Sequence, residues 1–163
     1  MNKKQFIFLD LDGVVSSTRK VIMNLSKEKP RRGVQKRYNS LNTWIDDDAV
    51  YLLAWTLNSK LPDAKVVIIS SWRGTESAVD ISDIFARHGL ASDRIIVPPL
   101  VPAQSKEEEI REIMRAGDIK PKEMAILDDN IEVGNLSDRV VKTNSASGLT
   151  VPDAHAVETL LNG

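Results

Sequence analysis

Gln5-Phe6-Ile7-Phe8-Leu9-Asp10-Leu11-Asp12-Gly13 runs from an apolar stretch straight into two acids and a glycine. From Gln5 to Leu9 the pattern is continuous rather than alternating, which reads as a strand buried on both faces. Asp10 closes that run and Asp12-Gly13 breaks it. The rest of the chain repeats the theme. Lys65 to Ile69 is a second buried strand and leads into Ser70-Ser71-Trp72-Arg73. Ile95 to Val97 is a short third, Met124 to Leu127 a fourth that ends in Asp128-Asp129, and Arg139 to Val141 a fifth.

Helical segments separate these strands. Asp46, Asp47 and Asp48 offer N-caps for a helix over about 49–59, and Leu61-Pro62-Asp63 ends it. Glu76 to His88 reads as a helix preceded by Thr75, with Gly89 as its C′ residue. Ser105 to Glu108 spells a capping box, so a helix starts there and runs to about Ala116, where Gly117 stops it. Asp153 to Leu161 is a last helix, and residues 16–45 are polar, basic and irregular, with Pro30 and Gly33 as breakers. Strands alternating with helices predict an α/β, three-layer Rossmann-like fold: a parallel five-stranded sheet with helices on both faces. The 163 residues fit one domain, 1–163, carrying a small insert at about 16–45.

In an open parallel sheet, ligands bind outside the carboxyl ends of the strands. Three strand ends would therefore deliver Asp10, Asp12, Ser70, Ser71, Asp128 and Asp129 to one crevice. Four carboxylates together need a cation, and an all-oxygen set suits Mg²⁺. Asp10 and Asp12 stand two residues apart, so both can face that crevice if the strand continues. One can then attack phosphorus while the other moves a proton. Gly13 allows a sharp turn beside them.

Composition excludes several classes. Hydrophobic residues make up 42% and charged residues 28%, so an ordinary core forms and disorder is not expected. No apolar stretch reaches the roughly 20 residues of a membrane helix. The run after Lys3 and Lys4 is too short for a signal peptide, so the expected location is the cytoplasm. With no cysteine, disulfides, thiolate metal sites and cysteine nucleophiles are excluded. Net charge is −1, yet Arg19, Lys20, Lys27, Lys29, Arg31, Arg32, Lys36 and Arg37 against Glu28 alone make a local +7 and leave −8 for the remainder. Such a block is a contact for an anionic ligand or a solvated loop.

Phe8-Leu9-Asp10-Leu11-Asp12-Gly13-Val14-Val15 resembles the first motif of the haloacid dehalogenase (HAD) superfamily of phosphatases. Val67 to Ser71 resembles the second motif and Ile126 to Asp129 the fourth, while Lys106, 22 residues before Asp128, stands where a third-motif lysine would. A narrower resemblance rests on Ser-Ser-Trp-Arg at 70–73, Glu109-Ile110-Arg111, Val141-Lys142-Thr143 and Gly148-Leu149-Thr150. These are similar to the phosphatase domains of Swiss Army knife RNA repair proteins, relatives of the 3'-phosphatase part of polynucleotide kinase-phosphatases. Glu107-Glu108 departs from the Arg-Gly often found before the Glu-Ile pair.

The resemblance implies a role for each matching residue. Asp10 is the nucleophile and a Mg²⁺ ligand, and Asp12 the general acid/base whose carbonyl also binds metal. Ser70 and Ser71 hold phosphoryl oxygens, Lys106 balances charge at the nucleophile and the phosphate, Asp128 binds metal directly, and Asp129 binds it directly or through water. Arg73 binds substrate phosphate or pairs with an acid. Trp72 reads as a packing residue, as does Trp44, although Trp44 and Tyr38 could stack on a base. His88 and His155 read as surface residues without metal-site spacing. Because caps set substrate choice in this superfamily, a small basic lid bearing Arg31, Arg32 and Arg37 implies an open site for a polyanion, a phosphorylated nucleic acid end. Alternatives are a free nucleotide or other small phosphoester as substrate, or a non-catalytic phosphate-binding module. The pattern sets no oligomeric state.

Overall fold

The computed structural model describes residues 3–27, 41–101 and 105–163. In chain order the elements are β1 (Phe6–Leu9), α1 (Thr18–Lys27), α2 (Leu41–Trp44), α3 (Asp47–Lys60), β2 (Lys65–Ile68), α4 (Ala78–Ala86), β3 (Ile95–Ile96), α5 (Lys106–Gly117), β4 (Met124–Asp128), β5 (Val140–Lys142) and α6 (Val151–Asn162). The five strands form one sheet in the order β3-β2-β1-β4-β5, and every neighbouring pair is parallel. This is the α/β architecture expected from the alternating pattern.

Side-chain alternation along the strands divides the core into two layers. Ile7, Leu9, Val66, Ile68, Ala125 and Leu127 pack with residues of α3, α4 and α6, such as Leu53, Phe85 and Leu161. Phe8, Val67, Met124 and Ile126 face the other way, against Ile110 and Met114 of α5. Both faces being covered explains why the strands carry no polar alternation. Burial of a side chain such as Phe8 or Phe85, both fully enclosed, contributes about 1.5–3 kcal/mol.

The register brings the strand ends level. Leu9 pairs with Ile68 on one side and Leu127 on the other, and the ladder continues through Ile69 N–H to Leu9 O (2.9 Å) and Asp10 N–H to Leu127 O (3.0 Å). From β1 the chain moves outward through β2 and β3, then returns to the opposite side for β4 and β5. The crevice between β1 and β4 is thus the topological switch point, the usual ligand position in such sheets.

Several boundaries differ from the sequence reading. Residues 18–27, expected to be irregular, form α1. Tertiary bonds pin its start, from Thr18 N–H to Ser145 O (3.0 Å) and Arg19 N–H to Ala146 O (3.1 Å). Leu41, buried, opens α2 with its N–H bonded to Glu76 Oε1 (2.9 Å). That bond and a 3-10 turn over Ser71–Gly74 delay α4, which starts at Ala78 with Ser77 rather than Thr75 as its cap. Helix α5 includes Gly117 and ends where Asp118 takes a left-handed conformation (φ 48°). Helix α6 starts before Asp153, because Thr150 and Asp153 cap one another. Tyr38 and the basic residues Lys29, Arg31, Arg32, Lys36 and Arg37 lie outside the described residues.

Candidate active site

Asp10 leaves the end of β1 almost enclosed, 6% exposed. Its Oδ1 accepts the Leu11 N–H (2.9 Å), and its Oδ2 accepts Lys106 Nζ (2.8 Å). Asp128, at the end of β4 and 1% exposed, mirrors it: Oδ1 accepts the Asn130 N–H (2.9 Å) and Oδ2 accepts the same Lys106 Nζ (2.9 Å). One ammonium therefore bridges two buried carboxylates on adjacent strands. Lys106 is the first residue of α5, and Ser105 sets that position by capping the Glu108 N–H (3.2 Å).

Asp129 completes the cluster. Single oxygens of Asp10, Asp128 and Asp129 lie within 4.8 Å of one another. A tight turn after β1 makes room, with Val14, Val15 and Ser16 N–H groups converging on Leu11 O. Gly13 has φ +77°, and a Cβ there would overlap the Asp129 carboxylate. Glycine is required on both counts. Thr143 Oγ1 donates to Gly13 O (2.7 Å) and holds the turn from beneath.

The electrostatics reflect crowding. Burial pushes the Asp10 carboxyl above its ordinary value, Asp128 adds to the rise, and Lys106 opposes it. Asp129 is raised by burial first and by Asp128 second. Burial would lower Lys106, but hydrogen bonds and charge from Asp10 and Asp128 outweigh it, and the ammonium is held above its usual range. Three carboxylates against one ammonium leave two negative charges facing the crevice. An all-carboxylate donor set of that charge fits a hard divalent cation such as Mg²⁺.

Asp12 is exposed, and its Oδ1 accepts Trp72 Nε1–H (3.0 Å). Ser70 is fully buried where β2 ends, and its Oγ caps the following turn by accepting the Trp72 N–H (3.3 Å). Ser71 is exposed and opens that turn. Arg73 turns inward instead. Its Nε donates to Ser70 O (2.8 Å), its Nη1 to Pro98 O (3.2 Å), and Nη1 also pairs with Glu109 Oε1. Of its two expected roles, the geometry provides the pairing with an acid. Arg31, Arg32 and Arg37 lie outside the described residues.

Beside the carboxylates is a cavity of about 300 Å³ lined by Asp12, Asp129, Thr18, Val21, Trp44 and Ser145, among others. His88 faces Asp47 and His155 faces Glu158. The partnership of Trp72 with Asp12 escaped the sequence reading, which expected an acid beside Arg73 but did not identify it as Glu109. The one signal for the Trp72 contact is a donor-only side chain placed just after a strand-end serine pair.

Compared with known families, residues 6–154 match the model of the HAD domain in Swiss Army Knife RNA repair proteins. No curated protein matches the chain.

Proposed function

Since this chain belongs to the family of HAD domains in Swiss Army Knife RNA repair proteins and is a HAD-type phosphatase, we propose that it removes a terminal phosphate, specifically a 3'-phosphate, from nucleic acid ends through an aspartyl-phosphate intermediate. The observation that carries this reading is Lys106 bridging Asp10 and Asp128, with Asp129 in reach. Asp10 is the nucleophile, and Lys106 holds it in place and offsets the charge of the incoming phosphoryl group. Asp12 protonates the leaving oxygen and then takes a proton from water. Ser70 and Ser71 at the end of β2 hold phosphoryl oxygens. Asp10, Asp128, Asp129 and the Asp12 carbonyl would hold Mg²⁺, which supplies neutralisation of phosphoryl charge.

The chain works as one domain, and the insert at about 16–45 is its basic lid. Arg31, Arg32 and Arg37 in that lid contact the substrate backbone, where cations give sequence-independent affinity. Among the described residues, no helix is long and apolar enough to cross a membrane. The proposed setting is cytoplasmic. A second reading, a phosphatase of free nucleotides or small phosphoesters, is favoured by the cavity beside Asp12, whose size suits one small ligand. The complete carboxylate set argues against a non-catalytic binding module.

Phosphate release from 3'-phosphorylated oligonucleotides, 5'-phosphorylated ones, mononucleotides and an aryl phosphate, each with Mg²⁺, separates these readings. The 3'-phosphorylated oligonucleotide should have the highest kcat/KM, and Asp10→Asn should abolish turnover on all four with the fold intact. Preference for mononucleotides would select the second reading, and wild-type turnover in Asp10→Asn would end the aspartyl-phosphate route.

A further inference from the structure

We propose that Trp72 positions Asp12, deciding which of its two carboxylate oxygens carries the transferable proton. The inference rests on the phosphatase reading above and adds a residue to its machinery. Asp10 and Asp128 are buried, and each is fixed by a backbone N–H and by Lys106. Asp12 is exposed, and a carboxylate on the surface explores several rotamers unless something holds it. The structure supplies a hold from 60 residues away: Trp72 Nε1–H donates to Asp12 Oδ1 at 3.0 Å.

Trp72 is itself well anchored. Its backbone N–H donates to Ser70 Oγ (3.3 Å), its carbonyl accepts from Thr75 N–H (3.0 Å) and Glu76 N–H (2.8 Å), and its ring packs against the core layer shared with Leu9 and Phe85. The indole N–H is a donor only and does not titrate near neutrality. It cannot exchange the reacting proton, so Trp72 is a positioning residue.

A donor aimed at Oδ1 makes that oxygen the acceptor in both forms of the acid, which leaves Oδ2 for the proton. Asp12 Oδ2 then gives its proton to the ester oxygen as that oxygen leaves phosphorus and an Asp10 oxygen bonds in its place. Water next attacks phosphorus, its proton passes to Asp12 Oδ2, and the Asp10–phosphorus bond breaks. The products are an alcohol and phosphate, and Asp12 is again protonated.

Trp72→Phe keeps an aromatic ring against the core and removes the donor. The quantity to measure is kcat/KM, which covers binding and phosphoryl transfer to Asp10 and leaves out hydrolysis of the intermediate. One substrate is the nucleoside or oligonucleotide phosphate that the wild type hydrolyses, whose alkoxide needs a proton to depart. The other is nitrophenyl phosphate, whose leaving group does not. Misplacing the acid should lower the first value about 10- to 100-fold. The second should change less than about threefold, since it gains little from general acid catalysis. A similar loss on both, or none on the first, overturns the proposal.

A second measurement does not depend on turnover. The chain has three tryptophans, hence three indole N–H resonances in a ¹H–¹⁵N spectrum. Asp12→Ala should shift the one that is absent from Trp72→Phe; should that variant not fold, Trp44→Phe and Trp55→Phe assign it by elimination. An unmoved Trp72 resonance refutes the contact. A wild-type chain inactive on every phosphoester would instead sink the phosphatase reading, and the spectrum would still report on the contact.

Discussion

Arg73 Nη1 and Glu109 Oε1 face each other at 2.5 Å, with the arginine side chain 2% exposed and the glutamate 13%. The pair joins the turn capped by Ser70 to the helix that starts at Lys106, because Arg73 Nε also donates to Ser70 O. Two parts of the site that are distant in sequence are thereby held in one frame. Removing one member of a buried pair strands the other charge, which costs about 3–5 kcal/mol. Glu109→Ala should therefore lower stability by about that amount in urea unfolding. Replacing both residues by apolar ones, Arg73→Met with Glu109→Leu, should restore only part of the loss, because the Ser70 and Pro98 carbonyls lose their donor. If the double variant is as unstable as the single, the uncompensated charge is not the cause.

Lys106 makes a pH-dependent prediction. Its folded-state pKa lies above the ordinary lysine value, so its stabilisation is complete below that value and is lost only as pH rises through the raised one. Asp10 and Asp129 are also raised, so their ionisation near neutrality costs stability, and the cost fades as pH falls toward the ordinary carboxyl range. Lys106→Met should thus be less stable than wild type by about 1–3 kcal/mol at pH 7, a figure lowered because the side chain is partly exposed. Denaturation in chelator at pH 7 and pH 5 should show the gap narrowing on acidification. A gap that stays constant would show that Lys106 does not offset these carboxylates.

The same surplus of negative charge predicts the response to metal. Chelator should silence phosphate release and Mg²⁺ should restore it. In differential scanning fluorimetry Mg²⁺ should raise Tm, since a ligand present at 100 times its Kd adds about 2.7 kcal/mol to the folded state. Asp128→Ala should lose both effects. Ca²⁺ should compete for the site yet inhibit, because its larger and more flexible shell disturbs in-line geometry. Activity that survives exhaustive chelation would rule the cluster out as a metal centre.

The basic block is tested by substrate length. Reversing Arg31, Arg32, Lys36 and Arg37 to glutamate should weaken oligonucleotide processing and leave aryl phosphate hydrolysis nearly unchanged. Each phosphate contact on a single strand contributes a salt slope of about −0.7, so wild-type binding should fall steeply with salt and the variant's less so. Equal loss on both substrates would mean that the insert shapes the catalytic centre. No loss on either would make the block a solvated loop.

The sheet was legible because each central strand is a short continuous apolar segment ending at a polar residue and separated from the next by a helical segment, the pattern of a doubly covered parallel sheet. Ser105 was legible as a cap because capping is local chemistry, four residues long. Helix α1 was not, because Ser145 and Ala146 hold its start from more than 120 residues away. Nor was the delayed start of α4, where the Ser70 cap and the Glu76–Leu41 bond compete with helix propensity. In the site, the residue types at the strand ends could be read, but their partners could not. The contacts of Trp72 with Asp12 and of Arg73 with Glu109 span 60 and 36 positions, and no periodicity encodes them.

Gly13 and Asp129 occupy one another's space, as the overlap of a Cβ at Gly13 with the Asp129 carboxylate shows. The loop after β1 and the loop after β4 are consequently interlocked rather than merely adjacent. In transplantation between homologues they should behave as a single cassette. Exchanging residues 10–17 alone, or 128–133 alone, would set a foreign outline against a native one, and exchanging both together would carry the fit across. The chain's freedom to diversify therefore lies away from this junction, at exposed positions such as Tyr51, Trp55 and Val79.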